Sequence, residues 1–485
     1  MHHPLLPDDR LSLGDQRAHQ RPLDRLEHQV VALHLSSPHL LSAHETAQLR
    51  WGIALARMDR VQHRGEPFSM GPLLGAFRED VLRQVSATLK GAHPTRGAIS
   101  SLLGHLPGAT QRAWAALTAR TRSWLPTEVL EREVRQKELV LVLGGGGGTA
   151  FVYVGVLAQL EAAGIRPSLL VGTSMGAILA LFRARRVGFD QAETINFVRG
   201  LSWRRLFRGL STTSRYGLPG ALRLSLRAGF GHTFEEPGSG RQLRLKELAL
   251  PTLMIVGGVR RGRLPRPPES YAAGGRVRAH RPHLLRRMLQ ATGPIAELVT
   301  QPGTLKRLVL GEDDLSAELE AADAAGFSSA LPGVIHYDVT RDDPRSHSIL
   351  GALLEQHGVS RLVDGGLVDN LPVEVASRAV QRGAVGTRNA LVLGLNGFAP
   401  RLTTPHWYPL QQIAELTVRP QRDAAHLICD FHRTLSPVDV VPGVEQLLHA
   451  MELGARQFER LRPLVLELLR PLPSRAQLWP GELAA

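Results

Sequence analysis

The rhythm of apolar and polar positions changes near Glu138. Leu139-Val140-Leu141-Val142-Leu143 is an unbroken apolar run, ended by the five glycines Gly144 to Gly148. Such a run suits a strand buried on both faces. Val152 to Ala163 then reads as a helix stopped by Gly164, and Ser168-Leu169-Leu170-Val171 as a second buried strand. That strand meets Gly172-Thr173-Ser174-Met175-Gly176, after which Ala177 to Arg185 reads as a helix. Strand, loop, helix, strand, turn, helix predicts an α/β fold, a parallel sheet covered by helices. Further strands are expected at Leu253–Val256, Ser360–Asp364 and Leu391–Leu395. Before this core, Trp51, Ile53, Leu55, Ala56 and Met58 carry helical spacing; after it, Leu447, Leu448, Met451 and Leu453 do. The expected organisation is a helical N-terminal extension over 1–135, an α/β core over 136–400 and a helical C-terminal region over 401–485.

Length changes this picture little: 485 residues are enough for one large domain with additions, or for two or three. Charge changes it more. The net charge is +14, and lysine occurs only at Lys90, Lys137, Lys246 and Lys306, so arginine supplies nearly all the cations. Such a chain is drawn to phosphate, in lipid headgroups or nucleic acid. No zinc-finger spacing and no aromatic RNA-binding motif is present, so nucleic acid is not expected as a partner. The single cysteine, Cys429, forbids an internal disulfide and fits a reducing, cytoplasmic setting. Flanked by Leu427 and Ile428, it reads as a packed small hydrophobe. Met1-His2-His3-Pro4 leads into no apolar signal core. The charge-free stretch between Glu138 and Glu161 is long enough to span a bilayer, but its glycine run cannot hold a helix.

Three patterns carry chemistry. In Gly172-x-Ser174-x-Gly176, a tight turn between strand and helix lifts a serine hydroxyl into a cleft, and small neighbours avoid clashes there. The serine then stands at a helix N-terminus, where developing negative charge is favoured. Gly144 to Gly148 can offer backbone N–H groups to an oxyanion, because glycine permits close approach. The same run also satisfies a dinucleotide fingerprint, Gly145-x-Gly147-x-x-Ala150; however, the next strand ends Leu170-Val171-Gly172, without the acid that would bind a ribose. In Asp364-Gly365-Gly366, a carboxylate ends an apolar strand and is placed to act as a general base, although Asp-Gly more often caps a turn.

Taken together, in this order and spacing, the patterns resemble the patatin-like phospholipase family. The resemblance covers about residues 138 to 395. It rests on the glycine run leading to Gly155-Val156-Leu157, on the serine elbow, and on Val363-Asp364-Gly365-Gly366-Leu367-Val368-Asp369-Asn370-Leu371-Pro372-Val373. Ser328-Ser329-Ala330-Leu331-Pro332-Gly333 adds a further similar stretch. The resemblance implies a lipid acyl hydrolase with a Ser174–Asp364 dyad and no catalytic histidine. Its oxyanion donors would come from Gly145, Gly146, Gly147 and Met175. Gly172 and Gly176 would shape the elbow, and Gly365 and Gly366 the aspartate loop. The chain departs from the family at Thr149 and Ala150, where a cation followed by glycine is usual.

Two alternatives stay open at this level. One is a conventional Ser–Asp–His hydrolase using His406, His426, His432 or His449. The other is an inactive relative that binds lipid surfaces or a partner. No H-E-x-x-H or EF-hand pattern occurs, and the dyad needs no metal or other cofactor. Lipid or phospholipid is the expected substrate. The stretch from Trp203 to Arg287 mixes bulky apolar residues with arginines. Trp203, Phe207 and arginines such as Arg204, Arg205, Arg260, Arg261, Arg263, Arg266, Arg276, Arg278, Arg286 and Arg287 fit two readings equally: peripheral contact with an anionic membrane surface, or a solvated basic loop with its aromatics tucked into the core.

Overall fold

The computed structural model describes residues 13–90, 94–208, 214–236, 238–272, 281–401 and 406–480. Met1–Pro4, Arg276 and Arg278 lie outside them. The chain divides into two compact units. One comprises residues 1–139, 378–391 and 460–485; the other comprises 140–377 and 392–459. The segment 401–459 therefore clusters with the α/β core, and the last residues cluster with the N-terminal helices.

The first unit is built of helices such as Leu13–Ser36, Ala43–Arg57, Gly71–Leu89 and Arg96–Thr121. Ala43–Arg57 is buried nearly all round, which is why its apolar spacing is so dense: Trp51, Ile53 and Leu55 are all fully buried. Trp51 packs edge-on against Trp114 at 5.0 Å and Trp479 at 5.6 Å. Beside this core lies a buried ionic knot. Glu27 accepts from Arg50 at 3.2 Å, Arg57 at 2.7 Å and Lys137 at 2.5 Å. Burial alone would raise the Glu27 carboxyl, but Lys137, Arg57 and Arg50 outweigh it and hold it well below its usual range. Burial and the repulsion of Arg57 bring the Lys137 ammonium down to about 8.

The second unit carries a seven-stranded sheet among the described residues. Its strands are β1 (Glu138–Leu143), β2 (Pro167–Thr173), β3 (Thr252–Arg260), β4 (Leu305–Leu310), β5 (Val359–Asp364), β6 (Ala390–Asn396) and β7 (Leu427–Asp430). The expected strands are all present, joined by β4 and β7. The sheet is mixed: β2 runs parallel to β3, and β6 to β7, whereas β4 and β5 run antiparallel to β3. Leu139 to Leu143 are at most 2 % exposed, as a strand buried on both faces requires. Helices α1 (Val152–Ala162), α2 (Met175–Ala184), α3 (Gln191–Gly200), α4 (Arg281–Thr300), α5 (Tyr408–Val418) and α6 (Val444–Phe458) belong to this unit. Where α6 crosses α1 the backbones nearly touch, since a Cβ on Gly454 would lie 1.9 Å from the Val152 carbonyl oxygen.

The register of β3 positions the site. Its residues Met254 to Val259 pair with β4 along one edge. On the opposite edge, Thr252 to Ile255 pair with β2 and Val256 to Arg260 with β5. Because β2 runs with β3 and β5 against it, their C-terminal ends converge. Thr173 faces Ile255 and Asp364 faces the next residue, Val256.

Candidate active site

β2 delivers the chain to Ser174, whose backbone is held at φ 53° and ψ −126° before α2 begins at Met175. Among the described residues only Arg64 shares a positive φ without being glycine. A serine in this strained region is the conformation a nucleophile elbow requires. The glycines two residues to either side fit for steric reasons. A Cβ on Gly172 would lie 2.6 Å from the Ala177 Cα, and one on Gly176 would lie 2.1 Å from the Leu143 oxygen.

Ser174 Oγ donates to Asp364 Oδ2 at 2.7 Å. The other carboxylate oxygen accepts the Gly366 N–H at 2.7 Å, and the Asp364 N–H donates to the Ala330 carbonyl at 2.8 Å. Gly365 can have no side chain, since its Cβ would stand 2.2 Å from the Ile255 oxygen. Asp364 is 5 % exposed. Burial pushes its carboxyl up to about 6, against the downward pull of the Ser174 and Gly366 hydrogen bonds.

Ser328 braces the elbow, a role that its place in the sequence did not disclose. Its Oγ accepts the Ser174 N–H at 2.9 Å and donates to the Ile255 carbonyl at 2.6 Å. The loop after Asp364 is pinned as well. Thr173 Oγ1 donates to the Asp369 carbonyl at 3.0 Å, while the Asp369 carboxylate accepts Arg307 at 2.7 Å and Gln421 at 2.6 Å. Burial raises the Asp369 carboxyl to about 6, with Arg307 and Gln421 opposing.

The glycine run divides its amides between scaffold and cleft. Gly144 donates to Leu395, Gly145 to Asn370 and Gly148 to Pro437, each at 3.0 Å. Gly145, expected as an oxyanion donor, is thus engaged with its own scaffold. The N–H groups of Gly146, Gly147 and Met175 have no hydrogen-bond partner among the described residues. Gly147 and Met175 each open a helical turn, where amides precede the helix's own bonding. At the cation position of the loop, Thr149 is buried and its Oγ1 donates to the Gly146 carbonyl at 3.0 Å. Tyr153 adds a second brace, donating to the Gly144 carbonyl at 3.2 Å and accepting the Gly397 N–H at 2.7 Å.

Ser174 and Asp364 face two apolar clefts. One runs past Phe151, Ile178, Phe182 and Phe230; the other past Leu367, Phe398, Leu410 and Ile413. Leu206 and Phe207 are buried and line the first cleft, so Phe207 is turned inward rather than toward a membrane. Arg204, Arg205, Arg260, Arg261 and Arg263 are exposed. None of the four histidines after Asp364 lines either cleft. His406, His432 and His449 are exposed, and His426 accepts the Val392 N–H at 2.9 Å. The direct serine–carboxylate contact leaves no room for an imidazole between them. Among the described residues no group of His, Cys, Asp or Glu could hold a metal ion. Cys429 is buried, which pushes its thiol up to about 12.

The family model for patatin-like phospholipase matches residues 141–377, a span that includes Ser174 and Asp364. No curated protein matches the chain.

Proposed function

We propose that this chain, whose residues 141–377 match the patatin-like phospholipase model, is a lipid acyl hydrolase and that its reaction runs through a Ser174–Asp364 dyad and an acyl-enzyme. Asp364 accepts the Ser174 proton while Ser174 Oγ bonds to the ester carbonyl carbon. The carbonyl electron pair moves onto oxygen, and the amides of Gly146, Gly147 and Met175 are the donors that meet it. Collapse expels the alcohol, which takes its proton from Asp364. Water then gives a proton to Asp364 and attacks the acyl carbon. The second collapse releases the fatty acid, and Ser174 takes back its proton.

The observation that carries this reading is the 2.7 Å contact between Ser174 Oγ and a carboxylate that burial has made more basic. A carboxylate is ordinarily a poor base toward a hydroxyl; raising it to about 6 narrows the gap. The apolar clefts on both sides support acyl esters as substrates rather than polar ones. No helix of the described residues is long and apolar enough to cross a membrane. From the apolar clefts beside Ser174 we infer a protein that meets lipid at the surface of a bilayer. The test is fatty-acid release from phospholipid vesicles and from neutral acyl esters by the wild-type protein and Ser174→Ala. Release that persists in Ser174→Ala contradicts the assignment.

A further inference from the structure

We propose that Phe182 and Phe197 form the end wall of an acyl-chain slot and set the longest chain that the protein holds. The proposal deepens the hydrolase reading, since it takes Ser174 as the group that receives the acyl chain.

The slot follows from the helix that the elbow launches. Met175, Ile178, Leu179 and Phe182 of α2 all line the first cleft. Their spacing of three, four and seven residues puts them on one face. The cleft therefore runs along α2, away from Ser174. The helical rise places Phe182 about 12 Å from Ser174 along the axis, room for roughly ten extended methylenes.

At that distance the aromatic rings close together. Phe182 lies 4.2 Å from Phe197 of α3, centroid to centroid, and 5.1 Å from Phe230. Phe197 lies 5.5 Å from Phe230. Behind the rings is a second cavity of different character. Phe182, Thr194 and Phe197 line both cavities. The second is otherwise lined by groups such as Arg185, Arg186 and Glu193, and Glu193 pairs with both arginines. The partition is one ring thick, apolar on the Ser174 side and ionic on the other. A chain long enough to pass it would leave apolar contact and enter a charged space, where further methylenes contribute nothing.

The test is binding rather than turnover, so that it stands apart from the dyad. Dissociation constants for saturated fatty acids of increasing length are measured on Ser174→Ala, with Phe197→Ala and Phe197→Trp each added to it. On the Ser174→Ala background affinity should rise about fourfold per methylene until the wall is reached, and then level off at about ten to twelve carbons. Phe197→Ala should move that break about two or more carbons longer, Phe197→Trp should move it shorter, and shorter chains should bind nearly as before. Phe234 touches Phe182 at 5.1 Å but does not line the slot, so Phe234→Leu should leave the break in place. A break unmoved by both Phe197 substitutions, or moved equally by Phe234→Leu, overturns the wall. Absence of turnover in the wild-type protein with the binding profile intact would overturn the hydrolase reading instead.

Discussion

Ser174 and Asp364 stand 190 residues apart in sequence and share one hydrogen bond of 2.7 Å. They meet because β2 and β5 end on consecutive residues of one edge of β3, Ile255 and Val256. The mixed character of the sheet is therefore what brings the two side chains together. Were β5 parallel to β3, Asp364 would lie at the far end of the strand.

Burial of the Asp364 carboxylate carries a stability cost that a substitution can reveal. Its raised value means that the folded protein binds more protons than the unfolded chain between about 4 and 6. Stability contributed by this group therefore falls as pH rises through that window, and the full cost is present above it. Asp364→Asn should remove turnover roughly a thousandfold or more. The same variant should gain up to about 3 kcal/mol of stability near pH 8 and little near pH 4. Thermal unfolding of both proteins at the two pH values checks this; equal midpoints at high pH would contradict the buried charge.

Activity should require the ionised Asp364. The pH profile of kcat/KM should rise through a single ionisation near 6 and level off above it. Asp369 is raised to about 6 as well, so the profile alone does not identify the group. Asp369→Asn resolves this: its acid limb should stay where it is in the wild-type protein. A limb that disappears in this variant would assign the ionisation to Asp369.

Ser328 is a positioning residue. Ser328→Ala takes away the hydroxyl that accepts the Ser174 N–H and donates to the Ile255 carbonyl, at a cost of about 1–3 kcal/mol for a buried group. The elbow should loosen, with kcat falling about tenfold and KM little changed. Ser328→Thr, which retains the hydroxyl, should recover most of the loss. Equal damage in both variants would reduce Ser328 to a packing role.

Lipid surfaces should attract the exposed arginines Arg204, Arg205, Arg261 and Arg263. Each cation near an anionic surface contributes about 1 kcal/mol, and the effect is screened at high salt. Sedimentation with anionic vesicles should show binding that fades with salt and weakens when Trp203, Arg204, Arg205, Arg261 and Arg263 are replaced. Neutral vesicles binding as strongly would place the contact elsewhere.

Much of this arrangement is legible in residue order because it is local. The apolar run before Gly144, the glycines flanking Ser174 and the strand ending at Asp364 each state their own conformational need. Long-range pairing is not written that way. That the Gly145 amide belongs to the Asn370 carbonyl, and Arg307 to Asp369, depends on which segments the sheet brings together. The same holds for Phe207. Beside arginines its neighbourhood reads as a membrane surface, yet the slot beside α2 needs apolar walls and draws it inward. Leu305–Leu310 carries Lys306 and Arg307 within a strand, so its polar positions hide it from a search for buried runs.

Covalent labelling tests the central claim most directly. A fluorophosphonate needs an activated serine beside donors for its phosphoryl oxygen, and it reports on both at once. The wild-type protein should react near pH 8, and mass spectrometry of the digested adduct should find the label on Ser174. Labelling should be lost in Ser174→Ala and strongly slowed in Asp364→Asn. A label on another residue, or an unchanged rate in Asp364→Asn, would contradict a Ser174–Asp364 dyad.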